Sequence, residues 1–317
     1  MLSIFAIMPH MQPYICISGR SGLLMRFCQT DMEPAIYTRM FGGVGNQLFQ
    51  YSASRGLVDK LGCDLVVDTR YLAGLNLANC MVHFSNARYL ENVNLPPFKN
   101  DGLLKYIGCK LLSYSPKSFR DSARGYNPDL KKQPPSTYLR GYWQSERYFA
   151  DISDKLRSGL EFTTPLTGAN ADFVSMIKNS ANPVGVHFRR GDYLNNDAFS
   201  ICASDYYAAA MDYIAINDCQ SALPTCFVFS NDPDWARKNV SLGFETVFVD
   251  VNSEKTGHFD LHPQSLCNHN IIANSTFSWW SAWLNSNPDK IAIGPQKWFT
   301  SDRRENPDIY PKGWVIF

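Results

Sequence analysis

The sequence predicts an α/β protein built from two doubly wound parallel sheets that face each other across a cleft. Three observations predict it. Strand and helix patterns alternate in two separate stretches of the chain. A turn-rich stretch at 161–170, holding Thr163, Thr164, Pro165, Thr167 and Gly168, separates them as a linker. The apolar strands end in Gly, Arg or Ser-Asn-Asp just before a helix, at the edge where open parallel sheets bind ligands.

The first stretch opens with a strand at 35–41, which Gly42-Gly43-Val44-Gly45 breaks. Leu48, Phe49, Ser52, Ala53, Leu57 and Leu61 then recur at helical spacing, so 46–61 reads as a helix. Gly62 follows at the position that favours a left-handed closing residue, and 64–68 is the next strand. Residues 76–135 are irregular and rich in Asn, Pro, Lys and Tyr. Tyr148, Ile152, Leu156 and Leu160 mark a helix over 146–159. Past the linker, helices are expected at 172–180, 206–216, 234–240 and 278–285. Strands are expected at 183–188, 226–229, 246–251 and 290–293. The chain therefore divides into a leader at 1–31, a first domain at 32–165 and a second at 166–317. Its 317 residues suit that count.

Composition narrows the function. A net charge of +1 offers no nucleic-acid footprint and no polybasic membrane patch, so any affinity for a polyanion must come from a few placed cations. Nine cysteines at irregular spacings, without a C-x-x-C, argue against a disulfide framework or a structural zinc site and fit reduced thiols in a cytoplasmic protein. The leader holds short apolar pieces broken by Pro9, Pro13, Gly19 and Gly22. It is too interrupted for a membrane span of ~20 residues and lacks a signal-peptide pattern. A poorly ordered extension, or a start at Met32, is the expectation for it.

Four segments can carry chemistry. Gly42-Gly43-Val44-Gly45-Asn46-Gln47 allows close backbone approach and opens a helix whose N–H groups can meet an anion. Without a following Lys-Ser/Thr it is no P-loop, and a tight turn with no ligand is an equal reading. Gly185–Tyr193 puts Arg189 and Arg190 at the carboxyl end of a strand. Alternation sends His187 and Arg189 to one face and Phe188 and Arg190 to the other. One arginine can face the cleft while the other pairs with a carboxylate such as Asp192. Phe227–Asp234 ends a strand in Ser230-Asn231-Asp232, with Pro233 at a helix start. Helix capping by Asn231 or Asp232 is preferred there over a metal held by Asp232-Pro233-Asp234. Asn270–Trp283 passes from an apolar run into Asn274-Ser275-Thr276-Phe277-Ser278 and then a helix. Its first turn can hold an anion without net charge, while Trp279, Trp280 and Trp283 suit the core. His258 and His262 around Asp260 read as structural.

In this order the segments resemble the α-1,2-fucosyltransferases of glycosyltransferase family 11. The matching blocks are Gly42–Tyr51, Gly141-Tyr142-Trp143-Gln144-Ser145, the His-x-Arg-Arg-x-Asp run from His187, Phe229–Asp232 and Asn274–Trp280. Val44 stands where Leu is more usual, and Asp260-Leu261-His262-Pro263-Gln264 departs from the family's pattern. The resemblance implies a GT-B fold and inverting transfer of L-fucose from GDP-β-L-fucose to the 2-hydroxyl of galactose in an oligosaccharide or glycolipid. It implies no obligatory metal or cofactor, and a cytoplasmic enzyme peripheral to the inner membrane face. By position it makes Arg189 and Asp192 catalytic, with Arg189 on the diphosphate. His187 and Asp232 would meet the nucleoside, and Ser275, Thr276 and Ser278 the phosphate oxygens. Gly43, Gly45, Asn46, Arg190, Asn231, Asn274 and Phe277 would complete the donor site. An α-1,6-fucosyl type, a metal-dependent GT-A enzyme and a carbohydrate-binding module are the alternatives.

Overall fold

A computed structural model describes residues 34–84, 87–93, 95, 117–218, 222–253 and 256–317. The leader expected at 1–31 and part of the irregular stretch at 76–135 lie outside the described residues. From Pro34 to Phe317 the chain forms one compact unit.

The first sheet contains β1 (Ala35–Arg39), β2 (Asp64–Asp68), β3 (Leu90–Glu91), β4 (Lys117–Arg120) and β5 (Thr137–Arg140). They run parallel in the order β3-β2-β1-β5-β4. Residues Ala35 to Thr38 of β1 are all buried, as expected of a strand covered on both faces. Helix α1 (Val44–Leu61) links β1 to β2 and starts two residues earlier than its periodicity suggests. Gly62 closes it at φ +66°, donating its N–H to the Val58 carbonyl at 2.8 Å. A short α2 (Arg70–Gly74) follows β2. The helix expected at 146–159 arrives in pieces. Turns of 3-10 helix at Glu146–Tyr148 and Ala150–Ile152 precede α3 (Ser153–Gly159), and Ser145 caps the first by accepting from the Arg147 N–H.

The second sheet contains β6 (Pro183–Phe188), β7 (Thr225–Ser230), β8 (Glu245–Val249), β9 (His269–Ile271), β10 (Ala292–Gly294) and β11 (Val315–Ile316). It is parallel throughout, in the order β11-β10-β9-β6-β7-β8. Its helices are α4 (Ala169–Asn179), α5 (Ser204–Asn217), α6 (Pro233–Asn239), α7 (Leu261–Ser265) and α8 (Thr276–Leu284). The boundary expected at 165/166 falls in the irregular stretch between α3 and α4. Two doubly wound parallel sheets are the GT-B arrangement that the resemblance implies. The second sheet reverses its direction of growth once, between β6 and β9, and in the first the strands after β3 cross to the other side of β1, which places β5 beside it. Crevices for ligands open at the carboxyl ends of those strand pairs.

The two halves share a core. Helix α8 follows β9 of the second sheet, yet its tryptophans pack against the first half. Phe49 of α1 lies 4.4 Å from the Trp279 ring and 5.1 Å from Trp280, and Phe149 stacks on Trp280 at 5.6 Å. Trp279, Trp280 and Trp283 are fully buried, which is the packing role expected of them. The five described cysteines, Cys63, Cys80, Cys202, Cys226 and Cys267, are unpaired thiols. No described helix is long and apolar enough to cross a membrane.

Candidate active site

The whole of β6 is buried, and its end delivers Arg189 and Arg190 to the surface of the crevice. Strand alternation sorts the side chains as expected. His187 turns towards α8, with Nδ1 3.0 Å from the Ser278 hydroxyl and its ring 5.2 Å from Phe277. Burial, aided by the charge of Arg189, pulls its pKa down to about 3, so the imidazole is neutral at physiological pH. Phe188 turns the other way onto Tyr207 at 3.9 Å, and Arg190 follows it with its guanidinium 3.6 Å above the Trp235 ring. Arg189 is braced by Asp192, whose two carboxylate oxygens lie 2.8 and 2.9 Å from one terminal nitrogen. The Nε atoms of Arg189 and Arg190 are both buried and lack a hydrogen-bond partner among the described residues. Unused charged donors of this kind are costly unless something binds them.

At the end of β7, Asp232 takes the capping role preferred for it, accepting the Trp235 N–H at 3.3 Å with Pro233 in the first helical position. Its other oxygen lies 3.7 Å from Arg190 Nε. Asn231 accepts the Arg190 backbone N–H at 2.9 Å. Gly191 sits beneath it at φ +22°, and a Cβ there would meet Asn231 Nδ2 at 2.3 Å. Arg190, Asn231 and Asp232 thus form one group, on the opposite face of β6 from His187.

The start of α8 divides into anchors and free groups. Asn274 is fully enclosed, donating to the Ser200 and Trp298 carbonyls at 2.7 Å each, and its own carbonyl accepts from Tyr193 at 3.1 Å. Ser278 is also enclosed, shared between His187 and the carbonyls of Ala273 and Ser275. Ser275 makes no side-chain cap, and Thr276 and Phe277 stay partly exposed, so no side chain of the N-cap occupies the first-turn N–H groups. Lys290 holds the other end of α8, its Nζ 2.8 Å from the Ala282 carbonyl and 2.6 Å from that of Asn285. Burial pulls the pKa of this ammonium down to about 8.

The first sheet supplies the facing wall. Gly42, at φ +81°, turns the chain so closely that Asn46 lies over it. Gly43 is open to solvent. A Cβ on Gly45 would meet the Thr276 carbonyl carbon at 2.4 Å and the Phe277 nitrogen at 2.6 Å. The glycine turn therefore touches the start of α8, uniting Gly45, Thr276, Phe277, Ser278 and His187. Two residues without a role in the sequence reading set the shape of this turn. Gln47 donates to the carbonyls of Gly42 and Ala78 at 2.9 Å each and accepts from the Cys80 N–H at 2.9 Å. Gln50 bonds both the N–H (3.0 Å) and the carbonyl (3.1 Å) of Phe41. In the turn after β5, Gln144 donates to Asn46 at 2.9 Å. The intervening Trp143 adopts φ +55°, unusual for a bulky residue. This conformation buries its ring while Tyr142 faces out. Only the amide-rich composition of these blocks hinted at such roles.

A model of the glycosyl transferase family 11 matches residues 117–317. The chain is 31% identical over 300 residues to an α-1,2-colitosyltransferase of Escherichia coli, covering 88% of this chain and 98% of that protein. It is 31% identical over 309 residues to the E. coli O-antigen biosynthesis glycosyltransferase WbnK, covering 85% and 96%. A galactoside α-(1,2)-fucosyltransferase 1 of Saimiri boliviensis boliviensis is 27% identical over 161 residues, covering 47% of this chain and 43% of that one.

Proposed function

Because the chain belongs to glycosyl transferase family 11, it is a glycosyltransferase, and we propose that it moves L-fucose from GDP-β-L-fucose to the 2-hydroxyl of a galactose, with inversion. The observation that carries the donor reading is Arg189, with an unused buried Nε donor, following the strand face on which His187 meets the uncapped first turn of α8. A nucleoside diphosphate leaving group needs such donors. As the bond from the sugar's anomeric carbon to the phosphate oxygen breaks, negative charge builds on the diphosphate and positive charge on the sugar ring. Fixed donors aimed at the diphosphate stabilise that state more than the ground state. Arg189 and the α8 amides do this without a metal. The 1,2 linkage is supported by the names of two relatives, both of which specify it.

In this reading, Asp192 holds Arg189 in position while the site is empty. A diphosphate then competes for the guanidinium and frees the half-exposed carboxylate, which takes the proton of the attacking hydroxyl. The neutral His187 contributes shape and a hydrogen bond, not charge. A second reading has one specific support. A relative at 31% identity is named a colitosyltransferase, and colitose is the 3-deoxy counterpart of L-fucose. The donor pocket would then differ at the 3-hydroxyl alone.

The test is incubation of the purified protein with lactose in EDTA, with GDP-fucose in one arm and GDP-colitose in the other, followed by linkage analysis of the product. An α-1,2-fucosylated product formed in EDTA is expected. A faster colitose arm selects the second reading, and dependence on added Mn²⁺ overturns the metal-free mechanism. Arg189→Ala is expected to lower kcat by about 10²- to 10³-fold, the usual effect of removing one such donor, at an unchanged melting temperature. Turnover near that of the unmodified protein would remove Arg189 from the mechanism.

A further inference from the structure

A third guanidinium with a buried, unbonded Nε stands at the other crevice, at the carboxyl end of β1, and unlike Arg189 and Arg190 it has no carboxylate partner among the described residues. Arg39 Nε is buried and unbonded, and the side chain makes no ion pair with the described residues. The carboxylate beside it in register, on Asp68, is already taken. Arg70 binds it through Nε at 2.9 Å and a terminal nitrogen at 2.7 Å, and the Tyr138 hydroxyl donates to it at 2.7 Å. Arg39 is instead held by rings. Its guanidinium carbon lies 4.7 Å from the Phe41 centroid and 4.5 Å from that of Tyr71. The rings fix the plane of the group and leave its N–H donors unused. Phe41 in turn packs at 4.5 Å against Tyr142, a ring that is 45% exposed at the mouth of the crevice.

This cluster adjoins the turn that meets the donor crevice. Phe41 precedes Gly42, and Tyr142 is two residues from Gln144, which holds Asn46 at 2.9 Å. The next residue back, Gly45, touches Thr276. We propose that Arg39, Phe41 and Tyr142 form a saccharide subsite for the acceptor, with the apolar face of a neutral pyranose on Tyr142 and one of its hydroxyls accepting from Arg39. The chemistry favours this ligand over a phosphate. A single unpaired cation beside aromatic rings suits a hydroxylated ring with an apolar face, whereas a phosphate calls for several converging donors. The next cation, Arg70, is already neutralised by Asp68.

The inference rests on the reading of the chain as a glycosyltransferase that takes a galactoside, and its test separates the two. Lactose binding is followed by saturation-transfer NMR in the presence of GDP. GDP binding is measured by calorimetry on the unmodified protein and on Arg39→Met, Arg39→Lys and Tyr142→Ala. Tyr142 is exposed, so its variant tests the subsite even where Arg39→Met folds poorly. The expected result is GDP affinity within twofold of the unmodified protein in every variant. Lactose binding is expected to weaken at least tenfold in Tyr142→Ala and Arg39→Met, with partial recovery in Arg39→Lys. Where transfer occurs, the lactose KM rises in parallel. Lactose binding equal to that of the unmodified protein in both Tyr142→Ala and Arg39→Met overturns the subsite, as does an equal loss of GDP affinity. An unmodified protein that binds GDP but no lactose also overturns it and leaves the donor site standing. Failure to bind GDP overturns the donor reading instead.

Discussion

Among the described carboxyl groups, Asp260 is the one whose surroundings work hardest against its charge. Burial raises its pKa to about 7, against the single opposing hydrogen bond from Asn252 at 2.5 Å. The folded state therefore keeps a proton that the unfolded chain releases near the ordinary value of 3.8. Between those values rising pH favours unfolding, and above about 7 the full penalty persists. Asp260→Asn keeps an oxygen for Asn252 and removes the titration. It is expected to stabilise the protein at pH 8 by on the order of 2–4 kcal/mol and to leave it nearly unchanged at pH 4. Thermal melts of both proteins at the two pH values check this, and a shift independent of pH would refute it. The neighbouring His258 and His262 are in ring stacks, on His83 at 4.5 Å and on Phe162 at 5.6 Å, in keeping with their expected structural role. At this scale the sequence was legible wherever a residue's meaning lies in its place on a strand, as with His187, Arg189 and the Asp232 cap. Arg39, Gln47 and Gln50 were not legible, because each acquires its meaning from partners that only the fold supplies.

Among elements, the crossing of α1 with α8 decides how the two crevices meet. Gly45 allows the helices to approach until its Cα rests on the backbone of Thr276 and Phe277. A methyl group there collides with main-chain atoms, which cannot swing aside as a side chain can. Gly45→Ala is expected to cost about 1–3 kcal/mol, as overpacking usually does, and to weaken GDP binding by displacing the first turn of α8. Gly43→Ala is the control. Its backbone is extended at φ −71°, and nothing lies within 4 Å of an added Cβ, so its melting temperature should hold. Melting curves and GDP titrations of the two variants are the measurement, and equal behaviour of the pair would remove the crossing from the argument. Long periodic elements such as α1 and α5, and the apolar strands β6 and β7, were readable from pattern alone. The two-residue β3 and β11 and the three-residue β9 were not, because so short a run has no periodicity. The helix expected at 146–159 had its apolar spacing read correctly. Its breaks come from turns that bury Phe149 against α1 and α8 and Tyr148 against Tyr126 and Trp143.

For the molecule as a whole, two doubly wound sheets would ordinarily suggest two bodies that move independently. The core argues otherwise. One hydrophobic cluster contains Leu48, Phe49 and Phe149 from the first half together with Leu261, Ile272, Trp279, Trp280, Trp283, Trp298 and Ile309 from the second. The helix that completes the first half's core is thus the one whose opening turn serves the proposed donor site, and its backbone leads directly from β9 at the switch point of the second sheet. Loosening α8 should unsettle both sheets together. Trp280→Ala removes a fully buried ring in contact with Phe49, Phe149, Trp279 and Trp283. Its expected cost is about 3–5 kcal/mol. Hydrogen exchange read by mass spectrometry separates the possibilities. If the halves form one cooperative unit, protection in β2 and in β7 falls by the same amount in the variant, and calorimetry shows one transition before and after. If they are separate bodies joined by a linker, β2 and β7 lose protection unequally and a second transition appears, in which case closure of the cleft around a donor would be a hinge motion. A shared core instead confines any closure to the glycine turn and the loops after β6 and β7, where the backbone already adopts left-handed turns at Gly42 and Gly191.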